Sequence, residues 1–75
     1  MPVKFQQLVK IMKFFGYENT RTTGSHYRFE KNNKWITIPY HKELNIKTAR
    51  TIVKSLAENE NISFKELVKK FNLKF

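Results

Sequence analysis

The sequence contains no cysteine, only two glycines and two prolines, and no long run of apolar residues. A chain without cysteine can form neither a disulfide bond nor a thiolate metal site, and its composition suits the reducing cytoplasm. A membrane-spanning helix needs about 20 consecutive apolar residues, so no such segment is expected. A chain of 75 residues predicts one domain, spanning positions 1–75, whose seven Phe, three Tyr and one Trp supply the core.

Acidic residues are scarce as well. The chain has six Asp and Glu against 15 Lys and Arg, which gives a formal net charge of +9. Such an excess predicts a polyanionic partner: nucleic acid first, an acidic protein second and an anionic membrane last. We therefore expect no membrane partner. A lysine coat that only keeps the protein in solution is the simpler alternative.

The spacing of the apolar residues predicts the order of helices and strands. Residues at three- and four-residue steps form one face of a first helix over Pro2–Phe15, which Gly16 ends. Segments rich in aromatic and β-branched residues predict three strands, over Tyr17–Thr22, His26–Glu30 and Trp35–Tyr40. Asn45 is the expected N-cap of a second helix, and a short third helix is expected over Ser63–Phe71. This order predicts an α+β fold.

Side-chain alternation predicts which residues face the helices. Three antiparallel strands flanked by helices are most simply covered on one face, with the other face open. Tyr27 and Phe29 should then face the helices, with Tyr40 also in the core. His26 and Arg28 should lie on the open face, where Trp35 can join them.

His26 stands directly after the turn residues Gly24 and Ser25. A histidine beside a turn is often only a surface residue, but histidine is also the side chain that exchanges protons most readily near neutral pH. An RNA phosphodiester carries its own nucleophile, the 2′-hydroxyl, and its cleavage needs a general acid or base and positive charge. The sequence therefore makes His26 a candidate catalytic residue. His41 could be a second acid or base, but a surface role is favoured.

Several neighbours of His26 could hold the nucleic acid. Arg28 can bind a phosphate through two hydrogen bonds, and Arg21 and Lys34 are further candidates for the backbone. Trp35 is the best candidate for base stacking, although packing is the commoner role of such a side chain. The two histidines have no carboxylate cluster or cysteine beside them, so no metal site and no cofactor are predicted.

Three motifs in a fixed order resemble the HicA toxins of prokaryotic toxin–antitoxin pairs. They are "GSHYRF" (Gly24–Phe29), "TIPYH" (Thr37–His41) and "KTARTIVKSL" (Lys47–Leu56). The helix-and-glycine run "LVKIMKFFGY" (Leu8–Tyr17) precedes them, and the resemblance covers roughly Val3–Phe71. It departs from the family at the start of the second helix, where a Gly-Thr-Leu-Arg-like run is replaced by "KTAR".

This resemblance implies a fold like the double-stranded-RNA-binding domain, with a three-stranded antiparallel sheet and helices on one face. It also implies an mRNA interferase that stops translation, with His26 as the catalytic residue and Gly24 shaping the turn that presents it. A HicB antitoxin is expected to bind the toxin and cover its active surface. The alternative is a module of the same fold that binds RNA or DNA without cutting it.

Overall fold

The computed structural model describes residues 3–75 and contains three helices and two small sheets. The elements in chain order are β1 (Val3–Lys4), α1 (Phe5–Phe14), β2 (Glu18–Thr23), β3 (His26–Lys31), β4 (Lys34–Pro39), β5 (Glu43–Leu44), α2 (Ile46–Glu60) and α3 (Phe64–Lys70). The predicted α-β-β-β-α-α order is confirmed, with β1 and β5 added to it. The architecture is α+β, as the order of elements predicted, and it is the double-stranded-RNA-binding-domain-like fold that the resemblance implied.

The main sheet has the strand order β2-β3-β4, and both pairings are antiparallel. Six residue pairs join β3 to β4, from His26 opposite Pro39 to Lys31 opposite Lys34. The register between β2 and β3 shifts between Asn19 and Arg21, so β2 carries a bulge there. Residues that lie opposite each other share a face of the sheet. This register therefore determines which side chains point away from the helices.

The alternation predicted for β3 and β4 is confirmed. The side chains on the covered face are buried: Phe29, Ile36 and Ile38 are each at most 5% exposed. Tyr27 is half-buried and packs against the same core. Tyr40 was predicted to be buried but is 48% exposed, because β4 ends at Pro39 and the chain leaves the sheet there.

The start of the first helix differs from the prediction. The helix begins at Phe5 and not at Pro2, because Val3 is extended and pairs with Leu44 in the two-stranded sheet. This pairing buries both side chains. Lys4 caps the helix, and its backbone N–H donates to Gln7 Oε1 at 2.9 Å. The predicted position of Pro2 in the first helical turn lies outside the described residues.

The two later helices begin where the sequence predicted. The Asn45 side chain accepts a hydrogen bond from the Lys47 amide at 2.8 Å, and Ser63 Oγ accepts one from the Glu66 amide at 3.0 Å. Both bonds satisfy amides that a helix N-terminus otherwise leaves unpaired. The short α3 is part of the core, since Leu67 is fully buried.

A partly buried ionic contact links the sheet to α2. Glu60 accepts hydrogen bonds from Tyr17 Oη at 2.8 Å and from Lys31 Nζ at 2.7 Å. Lys31 Nζ also donates to the Phe15 carbonyl at 2.8 Å. Burial acts to raise the pKa of the Glu60 carboxyl, but the hydrogen bonds from Lys31 and Tyr17 outweigh it and hold this pKa below its usual value. The contact joins the ends of α1, β3 and α2.

Candidate nucleic-acid interface

The sheet surface that faces away from the helices, called the open face here, carries the residues of interest. Its exposed and half-exposed side chains are Glu18, Thr20, Arg21, Thr23, His26, Arg28, Glu30, Trp35, Thr37 and Pro39. The bulge in β2 brings Thr20 beside Glu30 while Arg21 lies opposite Arg28. The face therefore combines an imidazole, two guanidinium groups and an exposed indole with the carboxylates of Glu18 and Glu30.

The turn before β3 presents His26. Thr23 and His26 lie opposite each other, so Gly24 and Ser25 form a two-residue hairpin loop. Gly24 has a φ of +58° at the first central position, where turns of type II′ favour glycine. The Ser25 carbonyl accepts a hydrogen bond from the Tyr40 amide, which ties the loop to the chain after β4. This arrangement holds the exposed His26 at the end of the central strand.

Arg28, Glu30, Trp35 and Thr20 make a connected polar and aromatic cluster on the open face, called the Arg28–Glu30–Trp35 cluster below. Arg28 Nε lies 2.9 Å from Glu30 Oε2, and the guanidinium carbon lies 4.9 Å from the centre of the Trp35 ring. Thr20 Oγ1 donates to the same Glu30 oxygen at 2.6 Å. The hydrogen bond from Thr20 and the charges of the nearby arginines lower the pKa of the Glu30 carboxyl. Glu30 is therefore ionised at neutral pH.

The two arginines lie close to His26. Arg21 and Arg28 are directly opposite each other in β2 and β3, and Arg28 is two residues from His26, which corresponds to about 7 Å along the strand. Arg28 is paired with Glu30, and a second carboxylate, Glu18, lies opposite Glu30 on the same face. Arg21 makes no ion pair within residues 3–75, so its guanidinium can bind an added anion such as a phosphate.

Lys34, by contrast, does not lie with the other candidates. It pairs with Lys31 at the far end of the hairpin, about 17 Å along β3 from His26. Lys34 is two residues from the buried Ile36 on β4, so its side chain is on the covered side of the sheet. Its Nζ donates to the Asn59 carbonyl at 2.6 Å. The structure therefore separates Lys34 from the open face, whereas it brings His26, Arg21, Arg28 and Trp35 together on it.

Comparison with known families identifies the family of this chain. The family model of the HicA toxin of bacterial toxin–antitoxin systems matches residues 5–57, which is more than half of the chain. The chain belongs to the HicA toxin family. A toxin role and a cognate antitoxin partner follow from membership of this family. No curated protein and no solved structure matches the chain.

The part of this HicA toxin that matches the family runs from α1 to near the end of α2 and includes the whole open face. The helix α3 lies after the matched region, yet Leu67 and Leu73 from this C-terminal part are buried in the core. In this HicA-family chain the last helix therefore contributes to the same hydrophobic core that supports the sheet.

Neither a cluster of metal-binding side chains nor a membrane-spanning helix is found in the part of this HicA toxin that the structure describes. Among residues 3–75, no three His, Cys, Asp or Glu side chains are close enough together to hold a metal ion. None of the helices in this same range has the length and apolar character needed to cross a membrane.

Sequence reasoning missed two features of the site. It did not assign a role to Glu30, although the alternation of β3 places this residue on the face of His26. It also missed the hydrogen bond from Thr20 to Glu30, which depends on the bulge in β2 and could not be predicted from residue spacing. His41 lies in the exposed loop after β4, and its predicted surface role stays a prediction.

Proposed function

We propose that this HicA-family toxin is an endoribonuclease that cleaves cytoplasmic mRNA without a metal ion, and that His26 is its catalytic residue. The observation that carries the proposal is the position of His26, exposed at the start of the central strand and next to the paired arginines. A proton-exchanging group beside concentrated positive charge is what phosphodiester cleavage needs.

The chemistry uses the nucleophile that RNA itself supplies. The 2′-oxygen attacks the neighbouring phosphorus, a new P–O2′ bond forms, and the P–O5′ bond breaks. The 2′-hydroxyl loses its proton, and the departing 5′-oxygen gains one. Neutral His26 can accept the first proton, or its protonated form can donate the second. The products are a 2′,3′-cyclic phosphate and a 5′-hydroxyl end.

Arg21 and Arg28 hold the substrate in this proposal. Their guanidinium groups bind the phosphates beside the scissile one and stabilise the negative charge that develops on it. Since these contacts neutralise phosphates, RNA binding should weaken strongly as the salt concentration rises. A cognate HicB-type antitoxin that covers the open face would block substrate access and so prevent the arrest of translation.

The test is induced expression in bacteria, with growth and total RNA measured from the same cultures. Wild type should arrest growth and deplete mRNA, His26→Ala should do neither, and the matched control His41→Ala should behave as wild type. The purified protein should cut RNA equally well with EDTA present and leave cyclic phosphate ends. A folded His26→Ala protein that cuts RNA at the normal rate would show that His26 is not catalytic.

A second candidate function is RNA or DNA binding without cleavage. One observation favours it: within the part of the chain that the structure describes, no hydrogen bond orients the His26 imidazole. Catalytic histidines are commonly held by a second group. In this case Arg28→Glu should abolish binding, whereas His26→Ala should leave binding almost unchanged and neither wild type nor variant should cut RNA.

A further inference from the structure

We infer that the Arg28–Glu30–Trp35 cluster binds one nucleobase of the RNA and selects a base that carries an amino group, with guanine the best fit. This inference rests on the proposed function, because the base belongs to the RNA that His26 cuts. It adds a base-reading site, which shares Arg28 with the contacts to the RNA backbone, to an interface otherwise built on charge.

The first support is a ready stacking surface. Trp35 lies on the edge strand β4 and is 58% exposed, and the Arg28 guanidinium carbon lies 4.9 Å from its ring centre. Unpaired bases stack on indole rings and on guanidinium planes. The hydrogen bond from Arg28 Nε to Glu30 keeps the guanidinium in place over the ring. A base can therefore stack here without first ordering either side chain.

The second support is a fixed acceptor at the edge of this surface. Thr20 and Arg28 both donate to Glu30 Oε2, which uses the two acceptor sites of that oxygen. The other oxygen, Oε1, accepts no hydrogen bond from any residue between 3 and 75. Glu30 lies directly opposite Trp35 in the sheet register. Its free oxygen is thus within reach of the edge of a base stacked on the cluster.

The charge of this acceptor selects the kind of ligand. A carboxylate repels phosphate, so Glu30 faces a base edge and not the RNA backbone. Adenine, cytosine and guanine each carry an amino group that can donate to it, whereas uracil has only a ring N–H, which lies between two carbonyl oxygens that the carboxylate repels. Guanine also has a ring N–H beside its amino group, so it can place two donors on Oε1. Glu30 is therefore a specificity-determining residue for guanine over uracil.

The distance to His26 adds a consequence for cleavage. Glu30 is four residues from His26 on β3, which is about 14 Å along the strand. A base bound at the cluster therefore belongs to a nucleotide that is not itself cut. Cleavage should occur at a constant spacing from the selected guanine.

The test uses short oligouridine strands with one central G, A, C or U. Made with 2′-O-methyl groups, they lack the nucleophile and cannot be cut, so binding is measured alone. Wild type should bind the guanine strand about tenfold more tightly than all-uridine RNA, with adenine and cytosine between them. Trp35→Leu should weaken binding of all four strands because the stacking surface is smaller.

Glu30→Gln is the decisive variant. If the amide oxygen keeps the bonds from Thr20 and Arg28, the amide NH₂ replaces Oε1 and offers a donor where there was an acceptor. The preference for guanine over uracil should then disappear or reverse. Glu58→Gln is the matched control, because it removes the same charge from an exposed site on α2. It should change binding of the four strands equally and leave the preference intact.

Two results would overturn the inference alone: equal binding of all four strands by wild type, or the same effect of Glu30→Gln and Glu58→Gln on base preference. In either case ribose versions of the strands would still be cut in a His26-dependent way. If wild type neither binds nor cuts any strand, the proposed function fails and this inference fails with it.

Discussion

Glu60 is the residue whose replacement should reveal most about how the sheet is attached to α2. It accepts hydrogen bonds from Tyr17 and Lys31, and the side chains of Glu60 and Lys31 are only 11% and 24% exposed. Glu60→Gln keeps the shape of the side chain but leaves the Lys31 ammonium without its counter-charge. Breaking a fully buried ion pair costs about 3–5 kcal/mol, and a hydrogen bond to a charged group contributes about 1.5–3 kcal/mol.

Because this pair is partly exposed, we expect Glu60→Gln to lower the free energy of unfolding by less than the loss of a fully buried pair would. The expected decrease is about 2 kcal/mol at pH 7, within the range for a hydrogen bond to a charged group. For a domain of this size, 1 kcal/mol shifts the midpoint of thermal unfolding by about 4–8 °C, so Glu60→Gln should lower it by about 8–16 °C. Urea and thermal unfolding of wild type and variant measure the difference directly.

The effect of Glu60 should also depend on pH. Its carboxyl has a lowered pKa in the folded protein, so it binds a proton less readily there than in the unfolded chain, where the ordinary value is 4.5. The stabilisation is therefore complete above about pH 4.5 and is lost as the pH falls through the folded pKa. The difference between wild type and Glu60→Gln should shrink accordingly at pH 3.

Two controls separate this contact from a general effect of charge. Glu58→Gln removes a charge from an exposed site on the same helix and should change stability by less than about 0.5 kcal/mol. Lys31→Met combined with Glu60→Gln in a double-mutant cycle should give a coupling of about 1 kcal/mol or more. A coupling near zero, or a Glu60→Gln protein as stable as wild type at pH 7, would refute the reasoning.

Three other predictions concern the core, the turn and alkaline pH. Leu67→Ala should cost about 3 kcal/mol in urea unfolding because Leu67 is fully buried, whereas an equally large cost for exposed Lys65→Ala would argue against a role specific to the core. Gly24→Ala should lower stability by about 1 kcal/mol because of the positive φ, with no steric contact involved. Gly24→Asn should lower it less, and equal stability of the two variants would contradict a backbone origin. Burial, together with the bond to Glu60, raises the pKa of Tyr17 from 10.0 to about 12. Stability should therefore fall as the pH rises from about 10 to 12, and this part of the fall should be absent in Tyr17→Phe.

Much of the fold followed from local patterns. The three- and four-residue spacing before Gly16 indicated α1, and Asn45 and Ser63 marked the beginnings of α2 and α3. These features depend on hydrogen bonds and side-chain directions within a few residues. The extended Val3–Lys4 could not be predicted in this way, because its strand pairs with residues about 40 positions away.

In the candidate site, too, local patterns predicted some features, whereas others depend on the tertiary structure. Alternation in β3 and β4 placed His26 and Trp35 on the open face, since a strand has a side-chain period of two. The same rule assigns Lys34 to the covered side with Ile36 and could have excluded it from the interface. The bond from Thr20 to Glu30 depends on the bulge in β2, which no local pattern in "ENTRTT" indicated.

The sequence by itself determined the basic character of the protein, the order of its elements, the open-face position of His26 and, through its ordered motifs, the resemblance to the HicA family. These properties reside in composition, in short periods and in residue order. Tertiary structure alone decided that Glu60 joins Tyr17 and Lys31, that α3 shares the core, and that Glu30 holds Arg28 beside Trp35. Such contacts join side chains whose distance depends on strand register and helix packing, which are properties of the whole folded chain.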